Sequence, residues 1–152
     1  MTNRLLTGGV TLPALDAELA ATWVAVAHHV KRETLARLVG ATVPPSSGQN
    51  YYSLQLAPRD GRPLRLMLNV TARLVACSED HDSPGLRVPH TSFQDVPRSD
   101  LFVIAGFSVA DPGELESTVS VDDLANLAPN ERQDISYHQA TRMGDVLFNW
   151  FD

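Results

Sequence analysis

Cysteine occurs once in the 152 residues, at Cys77, so no disulfide can form within the chain. A chain without disulfides suits a reducing compartment, and a cytoplasmic location is the expectation. Cys77 ends the apolar run Leu74-Val75-Ala76, which suits a buried structural thiol. A nucleophilic cysteine needs a nearby base, and no motif supplies one. Lysine also occurs once, at Lys31, against eleven arginines, and isoleucine only twice. That bias follows GC-rich codons better than any physical demand and points to a GC-rich bacterial source. Long apolar runs are absent too. Nothing approaches the ~20 residues of a membrane-spanning helix, and MTNRLLTGGVTLPA lacks the apolar core of a secretory signal. No membrane association is expected, and the glycosylation pattern at Asn69 is without meaning if the chain is not exported.

Catalytic motifs are equally scarce. The sequence contains no G-x-S-x-G, no G-x-G-x-x-G and no Walker A pattern. Glu79-Asp80-His81-Asp82 has the atoms for a hard metal, but adjacent residues rarely converge on one ion, and EF-hand and His-x-x-x-His spacings are missing. His28 and His29 are neighbours on a helix, about 100° apart, and cannot chelate together; one of them is expected at the core boundary. No catalytic residue, metal or cofactor is assigned.

What is present is the composition of a soluble globular protein, 43% hydrophobic and 20% charged. The length suits a single domain over residues 1–152. Net charge is −6, unevenly spread: Met1 to Arg73 holds eight cations against four acids, and Leu74 to Asp152 holds four against fourteen. Lys31, Arg32, Arg37, Arg59, Arg62, Arg65 and Arg73 are spread over a helix, a turn and a strand, which is weak support for nucleic-acid binding, and none is expected. The acidic half suits a basic protein partner, because opposite charge steers encounter.

Hydrophobic spacing gives the elements. Thr11 before Leu12-Pro13 reads as a helix start, and Leu15, Leu19, Trp23, Val26 and Val30 form one apolar face. The helix either continues through Val39 to a cap at Gly40 or breaks near Lys31. Tyr52, Leu54 and Leu56, then Leu64, Leu66 and Leu68, alternate with polar residues around an Asp-Gly turn, which is a β-hairpin. Arg73 to Cys77 adds a third antiparallel strand, and a short one is expected near Leu86-Val88. Leu101 to Val109, apolar throughout, reads as a central strand. A short strand is expected around Ser117-Val119. Ser120 and Asp123 form a capping-box-like start to a brief helix, Pro129-Asn130 breaks it, and Ile135 to Tyr137 reads as extended. From Thr141, the apolar residues Met143, Val146, Leu147, Trp150 and Phe151 lie on one side of a short helix, with Asn149 and Asp152 facing away. So short a helix must pack, and the chain's own sheet is the nearest apolar surface.

The fold expected is therefore α+β: an N-terminal helix, a mainly antiparallel sheet of four to six strands, and a short C-terminal helix packed on it. The run Tyr137 to Asp152, with Gly144-Asp145-Val146-Leu147-Phe148-Asn149 and then Trp150, resembles the C-terminal signature of small uncharacterised actinobacterial proteins. These typically carry a tyrosine, a proline three residues later, then Gly-Glu-Val-Leu-Phe-Asn and a closing Trp-Asp. Ala140 stands in the place of the proline and Phe151 in that of the tryptophan. The resemblance implies no activity.

Three functions fit. The first is a non-catalytic binding module, like an immunity protein or a secretion chaperone, whose acidic residues Glu79, Asp80, Asp82, Asp95 and Asp100 face a basic partner. The second is a small-ligand binder or enzyme with a pocket between sheet and N-terminal helix, lined by Tyr51, Ser53, Gln55 and Arg65. The third is a homo-oligomer that exchanges its aromatic tail.

Overall fold

A computed structural model describes residues 5–80, 90 and 92–151. Helix α1 spans Ala17–Thr34 and is capped by Asp16, whose Oδ1 accepts the Leu19 N–H at 3.0 Å. The expected start at Thr11 is thus corrected. The Thr11 N–H and hydroxyl are bonded to Glu131 instead, and Leu15 stays outside the helix and exposed. Leu19, Ala20, Trp23, Ala27 and Val30 form the buried stripe, while His28 and His29 are both exposed, not at the core boundary.

The helix ends at Leu35, in the left-handed region at φ 58°. Strand β1, Arg37–Val43, follows, which rules out a helix through Val39. Gly40, expected as a helix cap, lies in β1 at φ 73°, where the register with β2 shifts. Strands β2 (Tyr52–Ala57), β3 (Leu64–Asn69) and β4 (Leu74–Glu79) then form an antiparallel meander, with the hairpin and third strand as expected. The strand expected at Leu86-Val88 lies outside the described residues.

Beyond β5 (Phe93–Gln94) the chain forms α2 (Ser99–Ile104) and β6 (Ser108–Val109). Leu101 to Val109 is therefore not a central strand. Phe102 and Phe107 turn inward and meet edge to face at 6.4 Å, while Ile104 is 80% exposed. An unbroken apolar run carries no period, so its length alone suggested a strand. Strand β6 runs parallel to β4 at Leu74-Val75, and β5 pairs antiparallel with the other end of the same edge. Sheet order is β1-β2-β3-β4-β5 with β6 beside β4.

Helix α3 (Pro112–Glu116) precedes a 3-10 turn at Asp122–Leu124, α4 (Pro129–His138) and α5 (Met143–Leu147). Near the expected strand at Ser117-Val119 there is one isolated bridge, Thr118 to Arg142. Ser120 and Asp123 cap each other's N–H groups at 2.8 and 3.2 Å, as expected. Ile135 to Tyr137, expected extended, lies in α4: Pro129 starts that helix, since its missing N–H costs nothing in a first turn.

Both sheet faces are covered. Tyr52, Leu54, Leu56, Leu66 and Leu68 meet α1 and Phe102 of α2. Met67, Leu74 and Ala76 meet Leu6, Val10, Leu115, Ile135 and the α5 segment on the other side. Val146, Leu147 and Phe148 are fully buried, each burial stabilising by about 1.5–3 kcal/mol. The aromatic ending thus packs on its own sheet. Asn149, expected to face away, is 1% exposed. Its Nδ2 donates to the carbonyls of Thr11 and Val146, and its N–H to Asn50 Oδ1 at 2.8 Å. Asn50 and Asn69 both donate to the Val10 and Leu147 carbonyls. Three asparagines so join the N-terminal segment, the hairpin and the C-terminal segment.

Candidate functional site

Strand alternation places Arg65 on the sheet face away from α1, in register with Gln55 on β2 and Ser78 on β4. Arg65 Nη2 donates to Asp80 Oδ1 at 2.7 Å, and the Tyr51 hydroxyl lies against the same guanidinium. Burial pushes the Tyr51 phenol above its ordinary range, with Arg65 opposing. Burial also works against the Arg65 charge, but Tyr51 and Asp80 outweigh it, and the guanidinium stays charged. Ser53 accepts a hydrogen bond from Gln49 Nε2 at 3.3 Å. Ser78 Oγ is fully buried and has no hydrogen-bond partner among the described residues.

Tyr51, Ser53, Gln55 and Arg65 thus share one sheet face, with Tyr51 against Arg65 and Gln55 in register with it. They cannot line a pocket between the sheet and α1, which packs on the opposite face through apolar contacts. Beside the start of α1 lies an open hollow of about 290 Å³, lined by Asp16, Glu18, Leu19, Thr22 and Arg73.

Of the acids expected at a partner surface, three are held by cations. Asp80 is occupied by Arg65, and its side chain is only 9% exposed, which corrects its reading as a free surface acid. Glu79 stands 3.9 Å from Arg62. Asp100 is gripped by both ends of the Arg98 guanidinium at 3.0 Å, a hydrogen bond that lowers its carboxyl below the ordinary range. Asp95 is exposed. Asp82 lies outside the described residues.

Further carboxylates outside ion pairs lie later in the chain. Asp111, Glu114 and Asp122 are exposed, Asp134 is half-buried, and none takes part in an ion pair among the described residues. Val121 and Tyr137, in the same stretch, are 86% and 81% exposed. From Asp111 to His138 the sequence holds seven acids and one cation, Arg132, which bonds to the Leu127 carbonyl. Counting charges along the chain exposes this excess, but only the fold shows which acids are left unpaired.

The stretch from Arg142 to Phe151 is tied into the fold. Arg142 holds Asp145 with two hydrogen bonds, at 2.8 and 2.9 Å, and also reaches Glu116 and the His90 carbonyl. Burial still raises the Asp145 carboxyl. Gly144 lies against the Phe93 ring. Cys77 is buried, and desolvation pushes its thiol up to about 12, as befits a structural cysteine. Among the described residues no three His, Cys, Asp or Glu side chains are placed to hold a metal ion, and no helix is long and apolar enough to cross a membrane. In comparisons with known proteins, no family model, curated protein or solved structure matches this chain.

Proposed function

We propose that the protein is a non-catalytic binding module for a basic protein, of the immunity-protein or secretion-chaperone kind, and that residues 111–138 supply the contact surface. The observation that carries this reading is the set of carboxylates outside any ion pair among the described residues, at Glu114, Asp122 and Asp134 and at Asp111, which caps α3, in a stretch that also exposes Val121 and Tyr137. Unpaired surface acids attract a cationic protein over a Debye length of ~10 Å at 0.1 M salt. Exposed Tyr and Val then add apolar contact once charge has aligned the partners. The test is crosslinking capture from the source organism at low and moderate salt, read by mass spectrometry. One basic protein, released as salt rises and lost with Glu114→Lys plus Asp122→Lys, supports the reading; equal capture by both forms refutes it.

A second reading, a small-ligand site on the Arg65 face, draws on the Ser78 hydroxyl, fully buried, in register with Arg65 and without a hydrogen-bond partner among the described residues. Such a hydroxyl forfeits about 1–3 kcal/mol, which a ligand hydrogen bond would recover. Native mass spectrometry of the purified protein tests it. A bound small molecule lost on Arg65→Leu favours this site, and a bare chain in both forms counts against it.

A further inference from the structure

Strand β1 begins the sheet and pairs with β2 on one side only; among the described residues no backbone hydrogen bond reaches its other side. Its seven residues, RLVGATV, carry one charge, Arg37, with no lysine and no proline. Val39 and Val43 are 38% and 49% exposed. Folded proteins commonly blunt such an edge with lysine, proline or a covering loop, because its free N–H and C=O groups invite another strand. The bulge around Gly40 takes residues 40–42 out of register with β2 and leaves the outer edge open.

Charge marks one end of this edge. Arg37 stands opposite Ala57, so β1 begins where the β2–β3 turn carries Arg59 and Arg62. The last turn of α1 brings Lys31 and Arg32 to the same end. Lys31, Arg32, Arg37 and Arg59 form no ion pair among the described residues. Of the acids nearby, Glu33 is held by His29 and Arg98, both at 3.3 Å, and Asp60 lies in the turn. The scattered cations of the sequence are thus gathered by the fold beside an open strand.

We infer that β1 receives an extended segment of a partner protein by strand addition, antiparallel, with acidic side chains at the C-terminal end of that segment against Arg37 and Arg59. Antiparallel pairing matches the neighbouring strands and is the more stable arrangement per residue. It also sets the end of the peptide at the start of β1, where the cations are. This surface is separate from the acidic stretch 111–138 and takes ligands of opposite charge.

The probe is a fluorescein-labelled peptide, Thr-Val-Thr-Val-Thr-Glu-Glu, titrated with the full chain and read by anisotropy, with amide hydrogen exchange on the complex. The expected result is saturable binding, new protection confined to residues 37–43, and affinity about tenfold weaker with Arg37→Glu, a single-charge effect of ordinary size. A peptide ending in Lys-Lys is expected to bind at least as poorly. Val39→Lys, a second exposed change, keeps the fold and tests the edge without reversing the cation. Glu114→Lys leaves the affinity unchanged, which separates this surface from the acidic one. The inference is overturned by absence of saturable binding, by binding that leaves the β1 amides unprotected, or by full affinity in Arg37→Glu. It is equally overturned by β1 protection that rises with protein concentration without peptide, since a second copy then occupies the edge.

Discussion

Gly144→Ala sets two effects against each other. Gly144 lies in the first turn of α5, and alanine favours a helix over glycine by up to about 1 kcal/mol. Propensity alone therefore predicts a more stable protein. Packing predicts the opposite: a Cβ on residue 144 would stand 2.9 Å from Phe93 Cε1 and closer still to Cζ and Cε2. The ring has little room to retreat, being 4% exposed, with the His90 ring 5.1 Å away and the Arg142 guanidinium 5.1 Å from its centre. Forcing a methyl into such a site costs about 1–3 kcal/mol. At ~2–4 °C per kcal/mol for a chain of this size, a melting temperature lower by several degrees is expected in calorimetry. Phe93→Leu in the same chain makes room, so the double variant loses less than the two single losses added. A melting temperature unchanged or raised by Gly144→Ala refutes the packing argument.

Other perturbations have equally definite outcomes. Glu131 accepts hydrogen bonds from the N–H groups of Gly9, Thr11 and Ala128 and from the Thr11 hydroxyl; burial raises its carboxyl, but these bonds outweigh it and leave it below the ordinary range. Its contribution is present above the unfolded pKa and lost as pH falls through the lower folded one, so Glu131→Gln, by denaturant midpoints, flattens the acid limb and loses about 1–3 kcal/mol at neutral pH. Asn149→Ala leaves the Thr11 carbonyl and the Phe151 N–H without their Asn149 partners and is expected to cost at least about 2 kcal/mol in urea melts; a loss below 0.5, roughly a surface effect, contradicts the asparagine junction. Leu35→Gly relieves a left-handed residue that is 64% exposed, and a gain of about 0.5–1 kcal/mol is expected in the same assay. Cys77, with its thiol raised to about 12, should resist iodoacetamide at pH 8 until the chain unfolds, and prompt labelling of the native protein contradicts its burial.

Period made the hairpin legible, because Tyr52, Leu54 and Leu56 alternate with residues of the other face, and spacing made most of the α1 stripe legible in the same way. Between Leu101 and Val109 there was no period to read, and only tertiary packing separates Phe102, turned inward, from Ile104, turned out. Pro129 misled because proline serves equally to stop a helix and to start one. Part of the site was visible: Tyr51, Gln55 and Arg65 share a face by alternation alone. Its ionic partner was not, since Asp80 reaches Arg65 only through the β3–β4 register, which no local pattern encodes. Asn149 reads as a solvent-facing residue on an amphipathic helix, yet the helix stops at Leu147 and the chain turns its side chain inward to the carbonyls of Thr11 and Val146 and the Phe151 N–H. Charge counts showed an acidic half, and pairing decided which carboxylates remain free.

The most direct test of the central claim is the salt dependence of binding between the captured basic protein and two forms of this chain, wild type and Asp111→Asn/Glu114→Gln/Asp122→Asn. These exposed changes leave the core untouched. The account predicts wild-type affinity that falls steeply with salt, and a variant that is weaker at low salt and nearly insensitive to it. Equal affinities with equal salt slopes would contradict it and move the contact away from residues 111–138.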